Sequence, residues 1–341
     1  MNPGVVVVGG VGQTVRAMDM DDPADRAAWD AFVESSPAGC VFHGSAWARA
    51  VGPALPVGMT LRHLACFDGG GGGIVAGHVS AARRKFGLRE AVLPVAMPYG
   101  GYLTAAASGT DAAAEGVQAL AAAVSRLASR EDYVQAPGFG DPGVLAAAGY
   151  RVAPRSTFHI DLTRPEEQLR AALDDSTRRQ VAKAGKAGFD AVDDPPIDDA
   201  WVLLRATFER RGVPCPIPPA VFRAAALSPH LAANRRFVAL ARDGRLAAFA
   251  LLLRSRGTSH YAFAATCPDH LKAGAASLVV WRCLLAGAAA GDTTFDFVGA
   301  NIPSIARFKS GFGPVAVETP RLVRTRGAAG WLVQRLRDRR G

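Results

Sequence analysis

Several features are scarce or missing in this sequence, and each absence removes a class of function. No apolar run is long enough to cross a membrane: the most apolar stretches are broken by Arg245, Arg254 and Arg282, well short of the ~20 residues a spanning helix requires. The opening MNPGVVVVGG has a run of only four valines and no Lys or Arg before it. A secretory leader needs a basic start and a longer apolar region, so none is expected, and the chain is expected in the cytoplasm. Five cysteines are scattered without a CxxC pair, and seven histidines show no HxxxH or HxxE spacing. Reduced, mostly buried thiols are the reading, and no metal site is expected. GGVGQTV has Val15 where a dinucleotide fingerprint needs its third glycine, and no helix pattern follows. A GxxxxGK[ST] phosphate loop and a GxSxG nucleophile turn are both absent.

What is present is an ordinary globular composition. The 341 residues are 49% hydrophobic and 20% charged, enough for two domains with a core each. The net charge of +9 is uneven: residues 301–341 hold Arg307, Lys309, Arg321, Arg324, Arg326, Arg335, Arg337, Arg339 and Arg340 against Glu318 and Asp338, a net +7. Such a cluster attracts the phosphates of a nucleotide, a coenzyme or RNA; a solubilising tail accounts for it equally well.

Periodicity and turn signals give one order of elements twice. In the first half, Asp25–Val33 and Phe42–Val51 read as helices, and Leu61–Phe67 and Ile74–Arg83 as strands joined at Gly69–Gly73. Ala91–Val95 is a strand, Ala112–Ala128 a long helix and Tyr133–Ala136 a strand. The second half starts with a strand at Ser156–Leu162 and a helix at Glu166–Gly188, followed by a helix at Trp201–Arg211. Arg236–Ala241 and Leu246–Arg254 form a hairpin over Asp243-Gly244, and Thr258–Thr266 is a further strand. Ala275–Ala290 is a helix, Thr294–Val298 a strand, Ser304–Gly311 a short helix, and Val315–Arg326 the last strands. The shared order suggests duplication of one α/β unit with a junction in residues 141–155, although no residue-level repeat stands out. A short helix from Gly330 to Arg340, with Trp331, Leu332 and Leu336 within helical reach of one another, is expected to return to the first domain.

The segment richest in chemistry is TTFDFVGANIPSIARFKSGFG, from a strand ending in DFVGA to a helix presenting Arg307, Phe308 and Lys309. Gly299 permits a tight turn at a strand end, where ligands bind in α/β folds. DFVGAN…SIARFKSGFG resembles the signature of the Fem-type transferases and their relatives. Three other stretches match that family in the same order: Trp29…Phe32…His43…Trp47, the turn Pro98-Tyr99-Gly100-Gly101, and the basic stretch Thr177-Arg178-Arg179…Lys183…Lys186-Ala187-Gly188.

The resemblance implies an α/β fold of two tandem acetyltransferase-type (GNAT) domains, with mixed, mostly antiparallel sheets flanked by helices and a cleft between them. The expected domains are residues 1–153, joined by 327–341, and residues 154–326. The implied activity is transfer of an aminoacyl group from aminoacyl-tRNA to a small amine or peptide, in natural-product or cell-envelope biosynthesis; acyl-CoA-dependent N-acyl transfer is the alternative. An activated ester or thioester needs no covalent nucleophile once an amine is positioned. Its oxyanion needs a fixed cation or donor, which contributes about 3 kcal/mol in comparable sites. By resemblance Lys309 is that cation and Phe308 places the donor. Arg307, Arg178, Arg179, Lys183 and Lys186 would meet donor phosphates; Arg178 and Arg179 also stand at i,i+4 from Asp174 and Asp175 as ordinary ion pairs.

Arg210, or Arg211 in its place, matches a family arginine for an acceptor phosphate. Tyr261, Tyr99, His43, Trp47 and Asn301 are acceptor-cleft candidates, with core packing the competing account of the aromatic residues and His43. Two departures argue against a cell-wall precursor as acceptor: Val51 replaces a family lysine, and no heptad run supplies a coiled-coil arm. His270-Leu271-Lys272-Ala273-Gly274-Ala275-Ala276 occupies the place of a coenzyme A loop but keeps one glycine of its pattern. The expected partners are therefore an aminoacyl-tRNA and an amine acceptor, with no resident cofactor, no DNA, and a monomeric chain.

Overall fold

The computed structural model describes residues 7–8, 13–69, 73–85, 87–106 and 110–327, and of Val7, Val8 and Thr110 only the backbone. The terminal helix expected at 330–340, with Arg335, Arg337, Arg339 and Arg340, lies outside the described residues. The chain divides into two compact units, one formed by residues up to Arg155 together with those from Glu318 onward, the other by Ser156–Val317.

The sheet of the first unit contains β1 (Val7–Val8), β2 (Thr14–Met18), β3 (Met59–Phe67), β4 (Ile74–Lys85), β5 (Leu88–Val92), β6 (Gly101–Thr104), β7 (Arg130–Val134) and β8 (Arg151–Ala153). It is completed by β16 (Arg321–Thr325), in the order β1-β2-β3-β4-β5-β7-β16-β8, with β6 also on β4. Helix α1 (Pro23–Ser35) starts where the Asp22 side chain accepts the amides of Ala24 and Asp25. It buries Trp29, Phe32 and Val33. After α2 (Ser45–Val51), the long α3 (Thr110–Leu127) packs Val117, Leu120, Ala121 and Val124 into the core with Tyr102 and Tyr133, and α4 (Gly143–Ala147) adds Leu145.

The second sheet runs β10-β11-β12-β13-β14-β9-β15. Its strands are β9 (Ser156–Asp161), β10 (Asp190–Val192), β11 (Arg235–Arg242), β12 (Arg245–Ser255), β13 (Thr258–Thr266), β14 (Thr294–Asp296) and β15 (Val315–Glu318). Its helices are α5 (Glu166–Ala171), α6 (Asp175–Gly185), α7 (Ile197–Glu209), α8 (Pro219–Leu227), α9 (Pro268–Leu271), α10 (Ala275–Ala289) and α11 (Pro303–Ser310). The apolar α10 buries Leu278, Val279, Val280, Trp281 and Leu284 against Leu240, Ala250, Leu252 and Phe295.

The α/β architecture with two mostly antiparallel sheets is the one expected from sequence. Strands β2, β6, β8 and β10 and helices α4, α8 and α9 were not expected, and two expected elements differ in kind. The single helix expected over Glu166–Gly188 is two, because the Asp174 carboxylate accepts the Thr177 amide and starts a new helix at Asp175. The strands expected over Val315–Arg326 divide between the sheets: β15 lies in the second, whereas β16 pairs with β7 and β8 in the first. The chain thus returns to the first unit at residue 318 rather than 327.

Each sheet contains a parallel pair at a corresponding place: β5 with β7, and β13 with β14. The last partners are Val92 with Asp132 in the first and His260 with Asp296 in the second. This register aligns Asp132-Tyr133-Val134-Gln135-Ala136 with Asp296-Phe297-Val298-Gly299-Ala300, a residue-level repeat that the sequence alone did not show.

Candidate active site

In the second unit β13 and β14 separate after His260 and Asp296 while β13 runs on to Thr266 along β12. One extra residue, Ala262, bulges from β13, since Leu251 faces Phe263 and Leu252 faces Tyr261. The chain beyond β14 turns back over β9: Phe297 donates its amide to Phe158 O and Ala300 to Ser156 O. The two residues between them are left-handed, Val298 with φ 55° and Gly299 with φ 92°. Glycine takes that conformation freely; a β-branched valine is strained in it.

Asp296 lies under this turn, fully buried. Its carboxylate accepts from Thr157 Oγ1 at 2.6 Å and from the Val298 amide at 2.8 Å. His260 Nδ1 stands at 3.2 Å and His159 Nε2 at 3.7 Å. His159, Asp296 and His260 face one another across β9, β14 and β13. Although burial opposes ionisation, the hydrogen bond from His260 and the charges of His260 and His159 hold the Asp296 carboxyl down at about 2. Burial lowers His159 against the pull of Asp296.

Helix α11 brings Lys309 to the same turn. Its ammonium donates to Phe297 O and to Gly299 O, both at 2.7 Å, and sits 5.7 Å from the centre of the Phe297 ring. Lys309 is 8% exposed, and burial lowers it to about 8, with Asp296 pulling the other way. Among the described residues it is the only buried lysine. Gly311, just after α11, lies so close to α6 that a Cβ there would meet Thr177 Oγ1 at 2.3 Å, and Asp174 donates its amide to Gly311 O. The helix carrying Lys309 is thereby fixed against the second unit's own core.

The other candidates distribute unevenly. Phe308 is 37% exposed beside Lys309 with its ring edge-on to Phe312, and Arg307 is exposed on the same helix. Asn301 ties the turn to β9, donating to Ser156 O at 3.1 Å. Arg210 is exposed at the end of α7 and reaches Thr266 O, the last residue of β13, at 3.4 Å; Arg211 is exposed beside it. On α6, Arg178 pairs with Asp175 rather than Asp174 and donates to Leu173 O. Lys183 donates to Lys272 O at 2.7 Å, while Arg179 and Lys186 are exposed.

Tyr261 is half-buried against Phe295 and Phe297. His43, Trp47 and Tyr99 belong to the first unit and are buried in it. Phe42 packs edge-on between Trp47 and Tyr99, and the His43 ring contacts Cys40 Sγ at 3.1 Å. For these three, core packing is the account the structure gives. Thr157, His159, His260 and Asp296 were missed as candidates. The signal that finds Asp296 is its place in the internal repeat. The other three sit in strands where alternation alone explains them.

The matching corner of the first unit is sealed. After Val92 the chain leaves the sheet over residues 93–100, and Gly100 then donates its amide to Val134 O. Gln135, at the position of Gly299, accepts the Tyr102 amide at 2.7 Å and donates to Tyr102 O at 2.8 Å. Gly101, with φ 83°, is required here: a Cβ would come within 2.1 Å of Gln135 Oε1. The aromatic-Gly-Gly turn is therefore the closure of this corner.

Residues 170–310 match the family model of the acetyltransferase (GNAT) domain. That range lies within the second unit. That match makes the chain an enzyme of the acyltransferase class. The fold of the chain is also that of FemX, at 14% identity and a TM-score of 0.68 over 87% of this chain and 95% of that one. The C-terminal domain of a putative lysylphosphatidylglycerol synthetase from Agrobacterium fabrum is similar at 15% identity and TM-score 0.58, covering 93% and 96%. A tandem GNAT protein from the clavulanic acid pathway is similar at 15% identity and TM-score 0.56, covering 92% and 99%. No curated protein matches the sequence. The doubled GNAT architecture expected from the Fem-type resemblance is therefore the architecture found. No described helix is long and apolar enough to cross a membrane, and no described group of His, Cys, Asp and Glu is arranged to hold a metal ion.

Proposed function

We propose that the chain is an aminoacyl-tRNA-dependent transferase, in which the GNAT-type second unit joins an aminoacyl group to an amine. The observation that carries this reading is Lys309, a buried ammonium fixed by two carbonyls where the parallel strands part. In the reaction the acceptor nitrogen attacks the ester carbonyl and a C–N bond forms. The C–O bond to the ribose then breaks, and the amine proton leaves with the ribose hydroxyl. The oxyanion formed on the way is the group a fixed cation stabilises, and Lys309 is assigned that role. Exposed Phe308 and Arg307 on the same helix suit a donor with rings and phosphates. Arg210, at the end of α7 and within reach of Thr266 O, is assigned an anionic group on the acceptor.

The choice of donor rests on the start of α10. Gly274 precedes it, and a Cβ there would meet Gln180 O of α6 at 2.6 Å. Lys183 of α6 also takes up Lys272 O. The loop in the place of a coenzyme pyrophosphate cradle thus lies against α6 and keeps one glycine of the coenzyme pattern, and the reading takes RNA over coenzyme A as donor. FemX and the lysylphosphatidylglycerol synthetase domain share the fold, and aminoacyl transfer is in keeping with the second name. The acyl-CoA reading draws its support from the acetyltransferase domain match and the clavulanic acid pathway protein. The test is transfer from a mixed aminoacyl-tRNA pool to a permissive amine, with and without prior RNase, beside an acyl-CoA series. RNase is expected to abolish transfer. Activity that survives RNase and requires acyl-CoA overturns the proposal in favour of the second reading.

A further inference from the structure

We propose that Thr157 is the positioning residue for Lys309: its hydroxyl holds the left-handed turn at Val298 and Gly299 whose carbonyls, with that of Phe297, seat the ammonium. The proposal rests on the role given to Lys309 above.

A strained turn persists only where its surroundings over-determine it, since a β-branched residue at positive φ costs about 1–3 kcal/mol. Four successive amides do so here. Those of Phe297 and Ala300 bond to the backbone of β9. Those between bond to side chains: Val298 to Asp296 at 2.8 Å and Gly299 to Thr157 Oγ1 at 2.8 Å. With every amide turned inward to β9 or Asp296, the carbonyls of Phe297 and Gly299 are left to meet Lys309.

Thr157 is the one side chain that closes this arrangement from a neighbouring strand. It is fully buried, and its single hydroxyl proton goes to Asp296 at 2.6 Å while its lone pair receives the Gly299 amide. Both hydrogen bonds are lost together if the hydroxyl goes, and no other described side chain bonds the Gly299 amide. The titratable group that acts on Lys309 is Asp296 from β14, itself flanked by His260 from β13 and His159 from β9. Loss of the hydroxyl removes one hydrogen bond from Asp296 and leaves the one with His260 and the charge of His159, so Asp296 stays ionised where Lys309 titrates and a change in Lys309 reports the turn.

The test replaces Thr157 with Val, which keeps the shape and removes the hydroxyl, and with Ser, which restores it. The chain has five lysines, Lys85, Lys183, Lys186, Lys272 and Lys309. Lysine side-chain carbons labelled with ¹³C can therefore be followed individually by NMR, Lys309 being identified by its loss in Lys309→Met. In the parent protein Lys309 is expected to titrate near 8. Thr157→Val is expected to move it upward toward the ordinary lysine value, as the ammonium leaves its buried seat, and Thr157→Ser to leave it in place. In transfer assays Thr157→Val should lower kcat about tenfold or more, the loss of one or two hydrogen bonds, with acceptor KM within about twofold. Thr157→Ser should recover most of that loss. An unchanged Lys309 titration in Thr157→Val overturns the proposal. Equal losses in the Val and Ser variants that track Tm also overturn it, as the mark of a structural role alone. Should Thr157→Val not fold, Thr157→Cys, a poor donor, carries the same comparison. The NMR arm needs no donor, so it decides the matter even if aminoacyl transfer is not found.

Discussion

In the first unit the parallel strands part after Val92 and Asp132; in the second they part after His260 and Asp296. In both, that Asp is followed by an aromatic residue, Val, one variable residue and Ala. The variable residue separates the two fates. Gln135 reaches across and sutures the gap through both polar groups of the Tyr102 backbone. Gly299 has no side chain to do so, and its left-handed backbone offers its carbonyl to Lys309. A duplicated unit can keep its sheet and core while one corner becomes a packed joint and the other a place for chemistry.

The sharpest way to break this comparison is to remove the charge from one corner and the suture from the other. Lys309→Met keeps the stem's volume and removes the cation. It is expected to lower single-turnover transfer by about 100-fold or more, equivalent to about 3 kcal/mol. Stability at neutral pH should be unchanged or higher, because a buried ammonium whose folded value is depressed opposes folding wherever it is protonated. Rapid-quench rates and Tm on the same sample check both halves, and an unchanged rate removes Lys309 from the reaction.

Gln135→Leu should do the reverse. Leaving the buried Tyr102 amide and carbonyl unpaired costs about 1–3 kcal/mol, read as a lower denaturant midpoint. The saturated transfer rate should stay within about twofold. A kinetic effect as large as that at Lys309 would mean that the sealed corner takes part in the reaction.

The smallest effect expected is a change in pH profile. Burial lowers Lys309 to about 8, so its ammonium is intact below that pH and is lost as pH rises through it. Saturated transfer should therefore fall above about pH 8 in the parent protein. A guanidinium does not titrate in this range. Lys309→Arg, whose planar fork replaces a compact ammonium imperfectly, should be slower but lack that descent. A descent that persists in Lys309→Arg would assign it to another group.

The outline of the fold was legible because it depends on local signals. Alternation marked β9, turn signals marked the hairpins of β3 with β4 and β11 with β12, and the DFVGA…RFKSGFG segment named Lys309 without any knowledge of its partners. What was illegible depends on contacts between distant parts of the chain. Thr157 and His159 lie more than a hundred residues before Asp296 and meet it because β9 pairs with β14. His260 meets it through the parallel pair. The helix break at Asp174 was hidden because an acidic residue suits both a helix's first turn and its cap. Trp47, Tyr99 and His43 suggested a cleft because large aromatic and imidazole groups serve binding and packing alike, and only burial separates the two.

The placement of β16 has a consequence for how the chain comes into being. All the strands of the second sheet lie between residues 156 and 318, one unbroken stretch. The first sheet must wait for residues 321–325, which form β16 between β7 and β8. On the ribosome, which releases the chain from its N-terminus, the later half can therefore finish first. The first sheet meanwhile lacks the strand that joins β7 to β8. Arg324 of that late strand then pairs with Glu131 of β7, a buried carboxylate that has awaited its partner across most of translation. The first unit is thus the last to close.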